Sequence, residues 1–281
     1  SIYNISFLNA YFESISGFTT TGFSIIYDIN NVDEALVLWR SSSQWMGGLL
    51  FLFVIIGTIG SKQTKIKPAY LISGGASGRN FYNNFNYNFI KILIIYSFST
   101  IFVIFLYSLT DLRLLDSVNL AFTSVSSGGF LPSDSLSNIL KNDLQIFIFS
   151  ITLLIPIFNF FLFYDFFSRQ FLFKNHLEDL HLALLIIVLT LFFYFFLIPE
   201  EGFSNVLLSI TSSISTSGVS TYSSSLDLSL FFILLTIVGG SLISTSSGFK
   251  YTRIYILLKI SYQEIYRFVK PINIIDKNLY N

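Results

Sequence analysis

Three short segments rich in threonine, serine and glycine carry the residue types that could coordinate an ion. They are residues 19–23, 126–130 and 216–219, which read TTTGF, SSGGF and TSGV. Moving a monovalent cation from water into an apolar medium costs on the order of tens of kcal/mol, so protein oxygens must replace its water. Backbone carbonyls can do this where glycine permits unusual backbone angles, and small hydroxyl side chains can add ligands. The pattern predicts cation-coordinating loops centred on Gly22, Gly128 and Gly218.

Each loop follows an apolar stretch too short to cross a membrane. These stretches are predicted as helices over residues 6–18, 115–127 and 203–215. Each helix ends at its loop, so the partial negative charge of its C-terminus points toward a bound cation. A single glycine after a helix is more often an ordinary cap. Three such loops in the same context indicate an internal repeat and a pore.

Longer apolar stretches predict the membrane-spanning helices, because a span needs about 20 mostly apolar residues. Spans are predicted at residues 39–60, 89–109, 143–164 and 182–198. Pro156 lies within the third of these and should kink it. A further apolar run, 228–238, stops at Gly239 and resumes at Ile254, which predicts a helix broken within the membrane.

The composition agrees with a membrane protein. Of 281 residues, 53% are hydrophobic and 11% are charged, and the mean hydropathy is +0.68, whereas soluble domains carry about 25% charged residues. The absence of cysteine excludes a disulfide framework and a thiolate metal site. The chain starts at Ser1 without a methionine or a visible secretory signal, which suggests that further residues precede it.

The charge distribution predicts an orientation. If the three loops share one side, that side carries 3 of 16 basic and 11 of 16 acidic residues, a formal charge of −8, and the opposite side carries +8. The positive-inside rule then places the basic connectors in the cytoplasm and the loops outside. A negative outer vestibule would concentrate cations. Alternatively, the acidic residues only solvate the outer loops.

Several motifs resemble a known family. Residues 13–22 resemble the first filter of the Trk/Ktr/HKT potassium-uptake superfamily, and residues 39–48 resemble the start of the helix that follows it. Residues 121–130 resemble the second filter, and residues 239–253 are similar to the broken third-repeat helix of the Trk H-type membrane subunit. The resemblance implies an all-α membrane protein, with repeated helix, pore-helix, filter-loop and helix units around a pseudo-fourfold pore. The third loop departs from the pattern, since Val219 stands where an aromatic residue is common.

The resemblance also implies site residues. The potassium filter is expected at Thr20, Thr21, Gly22, Ser126, Ser127, Gly128, Thr216, Ser217 and Gly218. An intramembrane gate is expected at Gly239, Gly240, Ser241, Gly248, Lys250 and Arg253. The alternative for this segment is a static kink with Lys250 and Arg253 snorkelling toward water. Because Gly22 is a glycine rather than the serine of some sodium-favouring relatives, potassium is the expected ion.

The repeats predict a division of the chain. Residues 1–68 form a partial first repeat, 69–173 a second, 174–270 a third with the broken inner helix, and 271–281 a cytoplasmic connector, with a fourth repeat absent. The expected function is potassium uptake across the inner (plasma) membrane by a multi-pass protein. The alternatives are a non-conducting membrane scaffold and an intramembrane enzyme.

Other residue groups predict less. The sequence has no nucleophile and base pair, no phosphate loop and no metal-ligand cluster, so we expect no enzyme, no catalytic residue, no cofactor and no metal other than potassium. His176 and His181 lie about 140° apart on a helix, so a solvated cytoplasmic helix start, with Glu178 and Asp179 favoured by the dipole, is expected instead of a metal site. Glu13 is expected to have a structural role. The expected partners are membrane lipid, a second copy in a homodimer and a cytoplasmic nucleotide-binding regulatory subunit, and no nucleic acid.

Overall fold

The computed structural model describes residues 6–26, 28–59, 85–167, 176–221 and 228–269. These residues form helices and connecting loops, with no β-strand among them. The helices are α1 (Phe7–Phe18), α2 (Glu34–Ile59), α3 (Phe85–Ser108), α4 (Leu114–Ser126), α5 (Asp143–Thr152), α6 (Leu154–Ile157), α7 (Phe160–Phe167), α8 (Leu177–Phe192), α9 (Phe203–Ser215), α10 (Ser229–Val238) and α11 (Tyr251–Val269). The predicted connector 271–281 lies outside the described residues, as does the connector between α2 and α3, residues 60–84.

The three short helices predicted from the sequence are confirmed as α1, α4 and α9, each within about one residue of its expected bounds. Ser6 caps α1 by accepting a hydrogen bond from the Asn9 backbone N–H at 3.3 Å, which satisfies one of the donors left free at a helix start. These helices are 12, 13 and 13 residues long. At 1.5 Å per residue they cannot cross a hydrocarbon core of about 30 Å.

Two described helices are long and apolar enough to span a membrane, Phe89–Ser108 and Leu177–Leu197. The second includes a π-helical turn, Phe193–Leu197, that continues α8. A third candidate consists of Asp143–Ile157 and Phe160–Phe167, which are bent by 95° at the break between them. Predicted spans therefore coincide with α3, α8 and the bent pair, while the stretch predicted at 39–60 forms the 26-residue helix α2.

The bend follows Pro156, as the sequence predicted, but it is larger than a kink. Proline supplies no backbone N–H and disfavours a continuous helix, and the chain leaves the helix at Phe158. The break leaves the carbonyls of Pro156 and Ile157 without helical donors, and the segment between α10 and α11 supplies them. The bend is therefore held by a contact with a distant part of the chain.

Helix α2 forms the centre of the first half of the bundle and packs against α1 and α4. A side chain at Gly47 would collide with the Phe18 carbonyl, and one at Gly48 would meet Tyr96 and Ser126. These two glycines let α2 approach the ends of both short helices. One buried apolar cluster joins α2, α3, α4 and α5, and a second joins α8, α9 and α10.

Candidate ion-coordinating site

The three loops after α1, α4 and α9 share one backbone conformation. In each, a residue with left-handed φ is followed two positions later by a glycine with positive φ. The first member of each pair is Thr20 (54°), Ser127 (56°) or Thr216 (62°), and the second is Gly22 (80°), Gly129 (82°) or Gly218 (66°). Non-glycine residues rarely adopt this conformation. Its recurrence at three equivalent positions indicates a repeated structure.

Hydrogen bonds repeat in the same register. In each loop the backbone N–H between the two positive-φ residues donates to a carbonyl five residues earlier, which closes the helix end. The pairs are Thr21 to Ser16 (3.0 Å), Gly128 to Thr123 (3.0 Å) and Ser217 to Ser212 (3.1 Å). The middle residues Thr21, Gly128 and Ser217 are therefore structurally equivalent.

This register differs by one residue from the prediction for the second loop. The left-handed glycine is Gly129, whereas Gly128 was expected at the centre. Ser126, expected in the filter, is the last residue of α4, and its hydroxyl donates to the Phe122 carbonyl at 2.7 Å. Two successive glycines made the register ambiguous in the sequence, and the helix end resolves it.

The loops contact one another in order. A side chain at Gly22 would collide with the Gly128 carbonyl oxygen, and a side chain at Gly129 would collide with the Ser217 carbonyl oxygen. No described atom lies within 4 Å of the corresponding position at Gly218. The glycine of each loop thus faces the middle carbonyl of the next loop, and the third loop faces open space.

The first loop also borders open space. Its aromatic residue Phe23 is 71% exposed, whereas the equivalent Phe130 of the second loop is 3% exposed. Phe130 packs beneath the Arg40 guanidinium, which lies 4.2 Å from the ring centroid. The first and third loops therefore lie on either side of the second one, and a gap separates the third loop from the first.

A buried ion pair supports the first loop from behind. Arg40 Nε donates to Glu13 Oε1 at 2.8 Å. The other Glu13 oxygen accepts the Ile25 backbone N–H at 3.1 Å, and the Ser24 hydroxyl donates to Oε1 at 3.0 Å. The chain segment after Gly22 is thereby attached to α1 and α2. These contacts agree with the structural role expected for Glu13.

Other acidic residues on the expected outer side also form hydrogen bonds or ion pairs within the protein. Asp134 accepts the Ile29 backbone N–H at 2.7 Å and the Asn30 amide at 2.5 Å. Glu34 accepts from Arg113 at 2.6 Å. Asp134 and Glu34 are therefore bonded to other residues of the outer loops, and the choice between a negative vestibule and acidic residues that only solvate these loops stays a prediction.

Residues 239–250, here called the crossing segment, contact both the bent helix and the loops. The Ser241 N–H donates to the Ile157 carbonyl at 2.8 Å, the Ser246 N–H donates to the Pro156 carbonyl at 3.1 Å, and Phe160 N–H donates to Ile243 at 2.7 Å. The break near Pro156 and the break after α10 therefore satisfy each other's backbone groups.

The crossing segment reaches the second and third loops. The Ser127 hydroxyl donates to the Thr245 carbonyl at 3.1 Å, and the Thr245 hydroxyl donates to the Val125 carbonyl at 3.1 Å. The Ser247 N–H donates to the Thr216 hydroxyl at 2.9 Å. All the predicted gate residues except Arg253 lie in this segment, namely Gly239, Gly240, Ser241, Gly248 and Lys250. Gly239 and Gly248 have positive φ of 65° and 90° and approach each other's backbone.

Lys250 and Arg253 occupy different environments. Lys250 is 5% exposed, and its ammonium donates to the Ser244 carbonyl at 3.2 Å, to the Ser244 hydroxyl at 3.0 Å and to the Ser246 carbonyl. The snorkelling alternative is wrong for Lys250, because its side chain turns into the crossing segment. Arg253 is exposed on α11, which begins at Tyr251 and thus three residues before the expected Ile254.

The polar side chains at the start of α8 are buried or half-buried and bonded to other parts of the chain, so the expectation of a solvated helix start is wrong for His176, Glu178 and Asp179. Glu178 Oε1 accepts the Leu242 N–H of the crossing segment at 3.0 Å, and Asp179 Oδ1 accepts the Asn159 N–H of the bend at 2.7 Å. His176 Nε2 lies 3.3 Å from Asp165 Oδ2. Burial lowers the pKa of His176, but hydrogen bonds and charges from Asp165 and Asp179 outweigh it and raise that pKa to about 9. No metal-binding group of three such side chains was found within the described ranges.

The chain is similar to known proteins over almost all of its length. It is 27% identical over 279 residues to an uncharacterized cation transporter of Methanocaldococcus jannaschii, covering 96% of this chain and 56% of the relative. It is 27% identical over 291 residues to the Trk system potassium uptake protein TrkG of Escherichia coli (98% and 60%). It is 28% identical over 281 residues to TrkI of Halomonas elongata, a protein of the same description (90% and 54%). No protein-family model matches the chain.

A solved structure has the same fold. The crystal structure of the potassium transporter TrkH from Vibrio parahaemolyticus matches with a TM-score of 0.78 and 24% identity, covering 97% of this chain and 58% of that one. The predicted all-α membrane fold is thereby confirmed. The chain spans little more than half the length of the curated relatives it matches. The names of these relatives are those of transporters, in agreement with the prediction that the chain is not an enzyme.

Proposed function

We propose that this chain, a relative of the Trk potassium uptake proteins, forms three consecutive quarters of a potassium-conducting pore. The observation that carries the proposal is the ordered contact between the loops, in which Gly22 faces Gly128 and Gly129 faces Ser217. A ring of like loops that meet edge to edge is the arrangement in which backbone carbonyls can replace the water around a cation.

The gap between the third and first loops supports a pseudo-fourfold pore. A further loop in that gap would place its middle carbonyl against Gly218 and its own glycine against Thr21, which would continue the observed pattern. The added chain would also bury the exposed ring of Phe23, as Arg40 and its neighbours bury the ring of Phe130. The three repeats would be residues 1–68, 69–173 and 174–270, with the added loop supplied by chain outside these residues.

The proposed ion ligands follow the structural register. They are backbone carbonyls and hydroxyls of Thr20, Thr21 and Gly22, of Ser127, Gly128 and Gly129, and of Thr216, Ser217 and Gly218. The crossing segment is the proposed gate, because it bonds to two of the three loops and carries glycines at both of its ends. Lys250 holds the segment closed, and Arg253 lies outside it.

Orientation and partners complete the proposal. The basic connectors would face the cytoplasm of a cell with the chain in its inner (plasma) membrane, and the loops would face outward. The inner charge of +8 suits anionic lipid or an acidic face of a nucleotide-binding regulatory subunit. A homodimer is proposed as the assembly state.

Cation uptake tests the proposal against its two alternatives. The complete protein of the source organism is expressed in cells that lack their own potassium uptake systems. The uptake of rubidium and of sodium is then measured. Uptake that saturates with rubidium or potassium supports the pore. A protein that reaches the membrane without carrying cations would instead be a scaffold, and substrate turnover without cation flux would indicate an enzyme.

Gly22→Ser links uptake to the loops. Gly22 has φ of +80° and no room for a side chain beside the Gly128 carbonyl, so serine displaces an oxygen at the junction of two loops. We expect the ratio of potassium to sodium uptake to fall at least about tenfold, which corresponds to a change of about 1.4 kcal/mol in the difference between the two ions. Gly202→Ser is the matched control, because Gly202 caps α9 with no neighbouring atom closer than 3.7 Å. Equal ratios in the two variants would contradict the proposal.

A further inference from the structure

The side chain of the middle residue forms a different hydrogen bond in the first and third loops. The Thr21 hydroxyl shares a hydrogen bond with the Thr19 hydroxyl at 2.7 Å, and the Ser217 hydroxyl shares one with Ser212 at 3.2 Å. Gly128, at the equivalent position of the second loop, has no side chain. Its connection must therefore come from another residue.

Gln44 supplies that connection from α2. Its side chain is fully buried, and its Nε2 donates to the Gly128 carbonyl at 2.6 Å. Its Oε1 accepts from the Thr123 hydroxyl at 3.3 Å and from the Phe130 N–H at 3.2 Å. Thr123 is the equivalent of Ser212, so Gln44 bridges the same two positions that Ser212 and Ser217 join directly.

Gln44 also explains why position 128 is a glycine. Gly128 is not among the residues with positive φ, so its backbone does not require glycine. A side chain at Gly128 would collide with the Cβ, Cδ and Oε1 atoms of Gln44. The side chain of Gln44 therefore occupies the space that a side chain at position 128 would need.

We propose that Gln44 is a positioning residue of the second loop and that it determines the discrimination between potassium and sodium. The inference rests on the proposed function. The Gly128 carbonyl that Gln44 holds is the same oxygen that faces Gly22, so Gln44 fixes an oxygen at the junction of the first and second loops. Gly47 and Gly48, one helical turn later, hold α2 against both short helices and limit its movement.

An exchange of side chains between the two sites tests this inference. Gly128→Ser places the hydroxyl of the third loop in the second, and alone it should reduce rubidium uptake at least about tenfold because it collides with Gln44. Adding Gln44→Ala removes the colliding Cδ and Oε1 atoms and leaves only the Cβ of residue 44, 2.8 Å from the new side chain, so uptake should rise at least about threefold above that of Gly128→Ser. Gln44→Ala alone should lower the potassium to sodium ratio about threefold to tenfold, as expected for one buried hydrogen bond.

Gln145→Ala is the matched control for the exchange. Gln145 is also a buried glutamine, but it donates to the Thr110 carbonyl at 2.8 Å, away from the loops. The Gln145→Ala substitution should not restore rubidium uptake to Gly128→Ser. All rates are divided by the amount of protein in the membrane, so that loss of folding is separated from loss of transport. If Gln44→Ala does not reach the membrane, Gln44→Met keeps the approximate size, removes the donor to Gly128 and should lower the same ratio.

The outcomes separate the inference from the proposed function. A wild-type protein without rubidium uptake contradicts the proposed function itself. Wild-type uptake together with unchanged selectivity in Gln44→Ala or Gln44→Met contradicts the role of Gln44 alone. A double variant as inactive as Gly128→Ser contradicts the steric argument, and rescue by Gln145→Ala does the same.

Discussion

Removing the charge of Arg40 should destabilise the protein far more than removing an exposed arginine. Arg40 and Glu13 form an ion pair at 2.8 Å with side chains only 2% and 8% exposed. Arg40→Leu leaves a buried carboxylate without its cation, which costs about 3–5 kcal/mol. Loss of the contact with the Phe130 ring adds up to about 2 kcal/mol. For a total loss of about 3–7 kcal/mol, and at roughly 2–4 °C per kcal/mol for a chain of this size, the unfolding temperature should fall by about 6–28 °C.

Arg113→Leu is the control for this comparison. Arg113 and Glu34 lie closer, at 2.6 Å, but their side chains are 58% and 62% exposed. Exposed pairs contribute about 0–1 kcal/mol because water and salt screen them, so the unfolding temperature should change by less than about 3 °C. The assay is thermal unfolding of the purified protein in detergent, with both variants measured side by side.

The double variant Glu13→Gln with Arg40→Leu separates charge from packing. Glutamine removes the unpaired carboxylate and can still bond to Ser24 and Ile25, so part of the lost stability should return. If Arg40→Leu is as stable as Arg113→Leu, burial does not increase the contribution of the Arg40–Glu13 ion pair to stability. If the double variant is less stable than Arg40→Leu, the unpaired charge is not the cause.

Three further predictions concern the loop register, the gate and pH. Gly129→Ala, which forces alanine to φ of +82° against the Ser217 carbonyl, should reduce rubidium uptake at least about tenfold, whereas Gly202→Ala should not. Lys250→Met removes the bonds that close the crossing segment, and basal rubidium uptake should rise about threefold or more; unchanged basal uptake would mean that the segment is static. Because the pKa of His176 is raised to about 9, its stabilising charge is fully present below its ordinary pKa of about 6.5 and is lost as pH rises through 9. The unfolding temperature should therefore fall across this range in the wild type and less in His176→Gln.

The helices were predictable because their signals are local. The short helices α1, α4 and α9 end where serine, threonine and glycine interrupt an apolar pattern, and the spans follow from length and hydropathy alone. The bend at Pro156 was also predictable as a kink. Its 95° angle was not, because it depends on hydrogen bonds with the crossing segment almost 90 residues later.

A local ambiguity and unforeseen tertiary contacts explain where the sequence predictions and the structure differ near the site. The second loop was placed one residue early because Gly128 and Gly129 are both glycines, and only the end of α4 distinguishes them. The first turn of α8 was predicted to be solvated because Glu178 and Asp179 are charged. In the structure each carboxylate accepts a hydrogen bond from a backbone N–H at a helix break, Leu242 for Glu178 and Asn159 for Asp179. A useful signal was available in the sequence: two broken helices within a membrane leave backbone groups that require polar partners.

The direction of the loop contacts bears on which substitutions the loops can accept together. Gly22 and Gly129 each meet the middle carbonyl of the following loop, so a substitution in one of these loops first displaces its neighbour rather than its own helix. Viable changes should therefore arise as pairs that span adjacent repeats, such as a glycine at position 128 with a glutamine at position 44. An engineer who transplants one loop from a relative should move its supporting residue with it, even though that residue belongs to a different repeat.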